Sequence, residues 1–229
     1  MLCLVLGRGK TGSQVAQVAR ERGHGVRVVG EEENRNAAAL TAPFLAGFDA
    51  VIDFTTPEAA VQNMRACLAN GARVVVGTTG WYQHLADMRD LALRREAALV
   101  YSTNFSVGVQ AMFRIARELA LAVPGYQFHI TETHHATKVD APSGTALSLK
   151  KILESANPKL SVEITSKREG EVPGMHEIEA RTESDSLSLK HEAYSRRGFA
   201  EGAVRAAEWI AGRTGCWDFR EIFQELKQS

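Results

Sequence analysis

Residues 2–12 read Leu-Cys-Leu-Val-Leu-Gly-Arg-Gly-Lys-Thr-Gly, an unbroken apolar run that ends directly in a glycine-rich turn. An apolar run without alternation is typical of a central parallel strand that helices cover on both faces. Apolar residues then recur at helical spacing over 10–22, and Gly23 is able to adopt the left-handed conformation that ends a helix. The stretch therefore predicts a strand, a glycine turn and a helix in succession.

The glycine turn fits the pattern G-x-G-x-x-G with Gly7, Arg8, Gly9, Lys10, Thr11 and Gly12. Small residues in this pattern let the backbone approach a pyrophosphate at the N-terminus of the following helix. A carboxylate about 20 residues further on would bind a ribose hydroxyl, and Glu31, Glu32 and Glu33 all stand near that distance. We expect a dinucleotide site with Glu31 on the ribose. A glycine-rich turn in another kind of α/β protein is the alternative.

Two features near these glutamates bear on the nucleotide. A guanidinium at Arg35 could accept a 2′-phosphate, which would permit NADPH as well as NADH. The connection between Glu33 and Asp49 is short, so we expect little chain to be left for an adenine pocket. The cofactor expected from the sequence is therefore NADH or NADPH, without a preference between the two.

The rest of the first half alternates apolar runs with helical stretches. Thr56 is a good N-cap residue, Pro57 suits the first helical turn and Gly71 is able to end the helix that follows. Alternation of this kind predicts a doubly wound parallel sheet with helices on both faces. We expect its further strands at 26–30, 50–54, 73–77 and 98–102.

The pattern changes near residue 105, where a long apolar helix over 107–123 precedes strands that alternate apolar and polar residues. Alternation with a period of two indicates an antiparallel sheet, with one face against helices and the other free for substrate or another subunit. Apolar stripes after residue 200 indicate helices that return to the first domain. We expect one domain over 1–105 and 198–229 and a second over 106–197.

Composition narrows the range of partners. Among the 229 residues, lysine plus arginine and aspartate plus glutamate both number 27, so no overall positive field attracts nucleic acid or anionic lipid. The three cysteines are too scattered for a disulfide framework, and the apolar run over 2–6 is too short for a signal peptide or a membrane span. We expect a cytoplasmic protein with a small-molecule partner, no nucleic acid and no membrane.

Residues 131–147 read Thr-Glu-Thr-His-His-Ala-Thr-Lys-Val-Asp-Ala-Pro-Ser-Gly-Thr-Ala-Leu, which places ionisable groups and turn formers between a strand and a helix. In a regular strand His134 and His135 would point to opposite faces, so both serve one site only if the backbone turns there. Ser143 is a good N-cap residue, which would leave backbone N–H groups near Gly144 and Thr145 able to hold a carboxylate. The segment therefore predicts a site for an anionic substrate.

This segment resembles the signature of the dihydrodipicolinate reductases, also called 4-hydroxy-tetrahydrodipicolinate reductases, which use NAD(P)H in the diaminopimelate route of lysine biosynthesis. Other stretches that are similar to motifs of this family cover most of the chain. They are Asp53-Phe54-Thr55-Thr56-Pro57, Gly77-Thr78-Thr79-Gly80, Asn104-Phe105-Ser106-Val107-Gly108, Arg168-x-Gly170, Gly174-x-His176 and Ser195-Arg196-Arg197-x-Phe199-Ala200-x-Gly202-Ala203.

The resemblance implies a role for each matching residue. His134 would be the acid/base residue and Lys138 the proton donor, because reduction of a conjugated C=C–C=N unit leaves negative charge that an imidazolium or ammonium neutralises. The substrate's carboxylates would contact His135, Gly144 and Thr145. The nicotinamide side of the cofactor would be lined by Gly77, Thr78, Thr79, Ser102, Thr103, Asn104 and Phe105.

The resemblance also implies an architecture. A Rossmann-type doubly wound parallel sheet would bind the dinucleotide, and a second α+β domain with a mixed or antiparallel open sheet would bind substrate and form the oligomer. The cleft between the domains would close on a cyclic dicarboxylate, and the open sheet would build a homotetramer. The expected reaction is the reduction of 4-hydroxy-tetrahydrodipicolinate to tetrahydrodipicolinate.

Two other functions are compatible with parts of the sequence. Histidines and acids near the His134 segment suit zinc or manganese, as in a metal hydrolase, but His176-Glu177 lacks the second histidine of H-E-x-x-H, and we expect no metal. A regulator that senses NAD(H) without turnover would need the glycine turn alone. Such a regulator has no use for the His134-His135-x-x-Lys138 arrangement.

Overall fold

The computed structural model describes residues 1–227 of the chain. They divide into two compact units, the first made of Met1–Ser106 together with the chain from Arg197 onward, and the second of Val107–Arg196. In chain order the strands are β1 (Leu2–Leu6), β2 (Gly25–Val29), β3 (Ala50–Asp53), β4 (Arg73–Val76), β5 (Ala98–Tyr101), β6 (Gln127–His134), β7 (Glu163–Arg168), β8 (Gly174–Arg181), β9 (Ser186–Ala193) and β10 (Gly215–Asp218).

Helices connect most of these strands, but β7, β8 and β9 follow one another without a helix between them. In chain order the helices are α1 (Lys10–Glu21), α2 (Ala42–Leu45), α3 (Pro57–Ala69), α4 (Leu85–Arg94), α5 (Val107–Ala122), α6 (Gly144–Ala156), α7 (Arg197–Ile210) and α8 (Phe219–Ile222). Short 3-10 turns lie at Arg35–Ala37, Tyr82–His84 and Glu225–Lys227. Within residues 1–227, no helix combines the length and the apolar character that crossing a membrane requires.

The first unit is built on a six-stranded sheet in the order β10-β5-β4-β3-β1-β2, and each strand is parallel to its neighbours. Helices α1 and α7 pack on one face around Val5 and Ile52, and helices α3 and α4 pack on the other around Leu4 and Val51. A fully buried side chain of this size contributes about 1.5–3 kcal/mol, so strands that face helices on both sides are apolar throughout. The predicted doubly wound parallel sheet is confirmed.

The later strands of this sheet each end one residue before the predicted position. The residues that leave the strands and begin loops are Gly30, Phe54, Gly77 and Ser102. They lie at the carboxyl edge of the sheet, where the chain departs towards a helix and where ligand-binding loops of such sheets are found.

The second unit has a four-stranded sheet in the order β7-β6-β8-β9. Strand β6 is antiparallel to β8, and β8 to β9, whereas β6 and β7 run parallel because helix α6 connects them as a crossover. The sheet is therefore mixed. Its apolar face packs with α5 and α6 in a core that includes Phe113, Ile130, Leu149 and Ile178.

Candidate active site

The glycine turn between β1 and α1 has close contacts that exclude side chains. Gly7 has φ +102°, and a Cβ at this position would lie 2.4 Å from the carbonyl oxygen of Phe54. A Cβ at Gly12 would lie 2.2 Å from the carbonyl oxygen of Gly7. Gly9 precedes α1 without a side-chain cap, so the first N–H groups of this helix have no capping side chain. The turn thus offers bare backbone at a helix N-terminus.

Two cavities flank this turn. The larger, of about 750 Å³, extends from Gly7, Arg8 and Gly9 towards the loops that follow β2 and β3. The smaller, of about 330 Å³, is lined by part of the turn and by the chain after β3 and after β4, namely Gly9, Lys10, Thr11, Phe54, Thr55, Pro57, Gly77, Thr78 and Thr79. The first unit therefore brings most of the predicted cofactor residues to one edge of its sheet.

The loop after β2 supplies most of the distal wall of the larger cavity. Glu31, Glu32 and Arg35 line it, together with Asn34 and Asn36. Asn36 and the following Ala37 have positive φ values of 54° and 61°, so the chain bends tightly here. We expected the connection between Glu33 and Asp49 to leave little chain for an adenine pocket. Because of this bend, its first residues nevertheless form part of the wall of the larger cavity.

Glu33 has a different environment from its two neighbours. Its carboxylate accepts a hydrogen bond from Arg8 and another from Arg27, the latter at 2.6 Å. The side chain of Arg8 also packs over Gly30, because a Cβ there would lie 3.1 Å from Arg8 Cδ. Glu33 is thus engaged with two guanidinium groups, and Glu31 and Glu32 are the glutamates of this run that line the cavity.

The predicted residues after β5 do not line either cavity. Ser102 and Phe105 are buried, and the Phe105 ring packs against Phe219 with 4.7 Å between ring centroids. Asn104 N–H donates to Ser102 Oγ at 3.1 Å, which closes the loop on itself. Thr103 lies in the same loop. The set Ser102, Thr103, Asn104 and Phe105 thus lies outside the linings of the two cavities, although the Phe105 ring packs edge-on against Phe54, which lines both, with 6.4 Å between ring centroids.

Asp53 organises the floor of these cavities, and sequence reasoning missed this role. The carboxylate is fully buried and accepts hydrogen bonds from Thr55, Thr78 and Asn63, the last at 2.7 Å. Asn63 in turn accepts from Asn34 Nδ2 at 2.8 Å, which extends the network to the cavity wall. Burial raises the pKa of Asp53 and outweighs these hydrogen bonds, which lower it. An acid that ends an otherwise apolar buried strand was the available signal.

In the second unit, the end of β6 carries a buried cluster of ionisable groups. Glu132 and His134 are two residues apart on one strand and share a face of the sheet. Register places His176 of β8 opposite Glu132, and Arg168 of β7 beside His134. Strand pairing thus collects residues that are far apart in the sequence.

Glu132 is the centre of this cluster. Its side chain has no exposed surface, one oxygen is hydrogen-bonded to His134 Nδ1, and the other accepts from Arg168 Nη1 at 3.0 Å. Burial raises the pKa of Glu132, but hydrogen bonds from Ser166 and Arg168 and the charges of His134 and Arg168 outweigh burial. The net pKa is lowered, so Glu132 is a buried carboxylate.

His134 is held by this carboxylate. The residue is 8% exposed, and burial lowers its pKa, helped by the charges of Lys138 and Arg168 and opposed by Glu132. When the ring is neutral, a proton on Nδ1 bonded to Glu132 leaves Nε2 as the basic nitrogen. A Cβ at Gly174 would lie 3.1 Å from this Nε2, so a small residue is needed on that side of the ring.

His176 packs edge-on against His134, with 5.1 Å between ring centroids. Its Nε2 is hydrogen-bonded to Ser143 Oγ at 3.2 Å, and burial lowers its pKa to about 3. Glu132, His134 and His176 offer ligand atoms within 4.8 Å of one another, a spacing that a metal ion could use. Because Arg168 and His134 already bind the carboxylate of this trio, its geometry favours a hydrogen-bonded network.

The loop after β6 carries the other predicted residues. Lys138 Nζ donates to Asp140 Oδ1 at 2.6 Å, and His135 Nδ1 is hydrogen-bonded to Thr137 Oγ1 at 2.8 Å. Burial raises the pKa of Asp140, but the hydrogen bond and charge of Lys138 outweigh burial, and the net pKa is lowered. The ammonium of Lys138 therefore lies against an ionised carboxylate.

Helix α6 begins where predicted. Ser143 is its N-cap, and Ser143 Oγ accepts from the N–H of Ala146 at 3.2 Å. Gly144 and Thr145 form the first positions of the helix, and Thr145 is buried. The predicted N-cap is confirmed, and the hydrogen bond between Ser143 and His176 ties the helix start to the histidine cluster.

A glycine turn between two cavities, on a doubly wound parallel sheet, is the arrangement of the class of dinucleotide-binding proteins. Residues 1–105 match the family described as dihydrodipicolinate reductase, N-terminus, and residues 108–223 match dihydrodipicolinate reductase, C-terminus. The chain belongs to the dihydrodipicolinate reductase family.

Individual relatives agree with this assignment. The chain is 33% identical to a 4-hydroxy-tetrahydrodipicolinate reductase of Christiangramia forsetii, over 97% of each chain. It is 37% identical to the enzyme of the same name from Natronomonas pharaonis, over 93% of this chain and 96% of the relative. A solved structure of dipicolinate-bound dihydrodipicolinate reductase from Paenisporosarcina sp. TG-14 has the same fold, with a TM-score of 0.74, 23% identity and coverage of 97% and 99%.

Proposed function

We infer that this chain is a 4-hydroxy-tetrahydrodipicolinate reductase, an NAD(P)H-dependent enzyme that forms tetrahydrodipicolinate in diaminopimelate and lysine biosynthesis. The observation that carries this inference is the membership of both units in one reductase family. The buried pair of Glu132 and His134, beside the loop of Lys138, agrees with a reaction in which protons must be supplied. A nucleotide sensor without turnover would not need this pair.

We propose that the first unit binds the cofactor through the glycine turn and its two cavities. The turn fits a pyrophosphate, because Gly7 and Gly12 allow the backbone to close around the start of α1 and Gly9 leaves that start uncovered. Glu31 would bind the adenosine ribose from the larger cavity, and Gly77, Thr78 and Thr79 would lie beside the nicotinamide half. The reduced nicotinamide, when bound, supplies two electrons and a hydrogen to the substrate.

Both nicotinamide cofactors are compatible with the larger cavity. Arg35 lines it and offers a guanidinium to a 2′-phosphate, whereas Arg8 and Arg27 are engaged with Glu33. Glu31 and Glu32 on the same wall suit unphosphorylated ribose hydroxyls. We therefore propose that the enzyme uses NADH or NADPH.

We propose that the second unit binds a cyclic dicarboxylate. The N-terminus of α6 offers N–H groups at Gly144 and Thr145, and His135 lies in the loop that leads to it. A relative solved with dipicolinate bound supports a planar ring with two carboxylates as the ligand class. These three residues would orient the substrate by its charged ends.

We propose that His134 and Lys138 manage the charge and the proton of the reaction. Loss of the 4-hydroxyl group as water would give the conjugated C=C–C=N unit. Hydride addition to this unit leaves an electron pair on the substrate, and the Lys138 ammonium would give it a proton. As an imidazolium, with its Nδ1–H bonded to Glu132, His134 would donate from Nε2 to the developing negative charge as acid/base residue. No metal is needed for this scheme.

We also propose a cytoplasmic homotetramer that forms through the second unit. Strand β9 is a terminal strand of the sheet, and Leu187 on it is 43% exposed. An exposed apolar edge strand is the kind of surface that subunit contacts cover. Light scattering of the purified chain should give four times the monomer mass, and a monomer would contradict this proposal.

The function is tested by a coupled assay in which a synthase makes the substrate from pyruvate and aspartate semialdehyde. We expect loss of NADH or NADPH absorbance that requires the chain, the synthase and both precursors. Omission of pyruvate is the control and should stop the oxidation. Oxidation that continues without pyruvate, or a fully supplied assay without oxidation, would contradict the proposed function.

A further inference from the structure

Arg168 links His134 and Lys138, the two proposed catalytic residues. It does so through Glu132 and through the backbone of Lys138, without a hydrogen bond to the His134 ring or the Lys138 ammonium. Its Nη1 donates to Glu132 Oε1 at 3.0 Å, and Glu132 holds His134 through the other oxygen. Its Nε donates to the carbonyl oxygen of Lys138 at 3.3 Å, and its Nη2 to the carbonyl oxygen of Asp140 at 2.5 Å. One guanidinium therefore bonds both to the carboxylate behind His134 and to the backbone that carries Lys138.

This arrangement depends on the burial of Glu132 and on the fixed donor geometry of the Arg168 guanidinium. Glu132 is fully buried, and a buried carboxylate without a partner is costly, so the guanidinium and the imidazole, together with a hydrogen bond from Ser166, keep it charged there. Arg168 has a planar fork of donors in fixed directions, and each of its three nitrogens is used in the contacts above. The pair is thus rigid, and it originates from strands β6 and β7.

We propose that Glu132 and Arg168 form a positioning pair, in which Glu132 fixes the tautomer and orientation of His134 while Arg168 fixes the backbone of the Lys138 loop. This inference rests on the proposed function, because it assumes that His134 and Lys138 act on the substrate. Neither member of the pair contacts substrate. Their effect is to hold two proton-handling groups in register through one buried ion pair.

The pair also sets the charge state of His134. The groups that bear on this ring are Glu132 from β6, Lys138 and Asp140 from the loop, Arg168 from β7 and His176 from β8. Glu132 favours the imidazolium, whereas burial and the positive groups disfavour it. Removing the negative charge of Glu132 should therefore lower the pKa of His134 further.

The first experiment measures this pKa directly, without cofactor or substrate. In Glu132→Gln the amide keeps the shape of the side chain but loses the charge, and its NH₂ group cannot accept from Arg168. We expect the NMR titration midpoint of His134 to move to lower pH by about one unit or more. Glu163→Gln, the same change at an exposed position of β7, is the control and should leave the midpoint in place.

The second experiment separates charge from geometry. Glu132→Asp keeps the charge and retracts it by one methylene, so we expect the His134 midpoint to stay near that of the wild type while kcat falls about 10-fold or more. Glu132→Gln should lower kcat at least as much and shift the alkaline limb of the pH profile to lower pH, because the imidazolium is lost at lower pH. A purely structural role would not move this limb.

The third experiment tests the loop. Arg168→Lys keeps the positive charge but loses the fork that binds the carbonyl groups of Lys138 and Asp140. We expect faster hydrogen exchange of the segment around 138–140 and a lower kcat, with the His134 midpoint changed less than in Glu132→Gln. Circular dichroism shows whether each variant is folded. If Glu132→Gln does not fold, Glu132→Asp and Arg168→Lys still test the proposal.

The outcomes distinguish this inference from the proposed function. If the wild type shows no substrate-dependent oxidation, the proposed function is wrong, although the NMR midpoints still report on the pair. If the wild type turns over while folded Glu132→Gln and Arg168→Lys keep its midpoint, loop exchange and kcat, the positioning pair is wrong.

Discussion

The glycine turn of the first unit and the histidine cluster of the second are built by opposite means. The turn works by what is missing, since Gly7 and Gly12 have no room for a Cβ. The cluster works by what is present, since Glu132, His134 and Arg168 are charged or ionisable groups buried together. The first depends on shape within a few residues of chain, and the second on electrostatics between separate strands.

The largest effect should come from removing the two proposed reacting groups, His134 of the cluster and Lys138 of the loop after β6. We expect His134→Ala and Lys138→Ala to lower kcat by about 10²- to 10⁴-fold, because each removes a group that handles a proton or a charge. Fluorescence titration should show unchanged NADH binding, because the glycine turn lies in the other unit. Folded variants with wild-type turnover would show that these roles are misassigned.

The next effect concerns the pH dependence of stability. Burial lowers the pKa of His176 from 6.5 to about 3, so between these values the unfolded chain binds a proton that the folded chain does not. Stability is therefore lost as pH falls through this range, by up to about 1.4 kcal/mol per pH unit. In His176→Gln, denaturant unfolding at neutral pH and at about pH 5 should show a smaller loss than in the wild type.

The control for this titration is His129→Gln, which changes a less buried histidine on the same sheet. This variant should show the same dependence of the free energy of unfolding on pH as the wild type. If His176→Gln also shows that dependence, the buried imidazole is not what makes the second unit sensitive to acid.

A smaller effect should separate two uses of glycine in the turn. We expect Gly12→Ala to lower the free energy of unfolding by about 1–3 kcal/mol, because its Cβ would meet the carbonyl oxygen of Gly7 at 2.2 Å. A Cβ at Gly9 has nothing within 4 Å, so Gly9→Ala is the matched control and should lose only the N-cap preference for glycine, less than about 1 kcal/mol. Equal stability of the two variants would contradict the close contact at Gly12.

The smallest effect should be a change in cofactor preference. Glu33→Gln removes the carboxylate that engages Arg8 and Arg27, so these guanidinium groups become available to a 2′-phosphate. We expect kcat/KM for NADPH relative to NADH to rise about two- to five-fold, in line with the weak energy of exposed ion pairs. Glu21→Gln breaks an exposed pair with Arg197 away from the cavity, and should leave this ratio unchanged.

Short-range patterns predicted much of the first unit. Strand β1, the glycine turn and α1 are neighbours in the chain, and β2 to β5 lie within one residue of their predicted ends. The pattern did not show that Glu33 would form ion pairs with Arg8 and Arg27. It also did not show that the bend at Asn36 would form part of a cavity wall. Those outcomes depend on side-chain and backbone contacts that form only when loops meet.

By itself the sequence determined the alternation of elements, the glycine turn, the N-cap at Ser143 and the segment with His134 and Lys138, because each arises from interactions between residues a few positions apart. Tertiary structure decided which groups surround His134. Glu132, Arg168 and His176 converge only through the registers of β6 with β7 and β8, and Asp53 reaches Asn34 only through Asn63. Strand register and burial set these contacts, and no local pattern encodes which distant strands will pair.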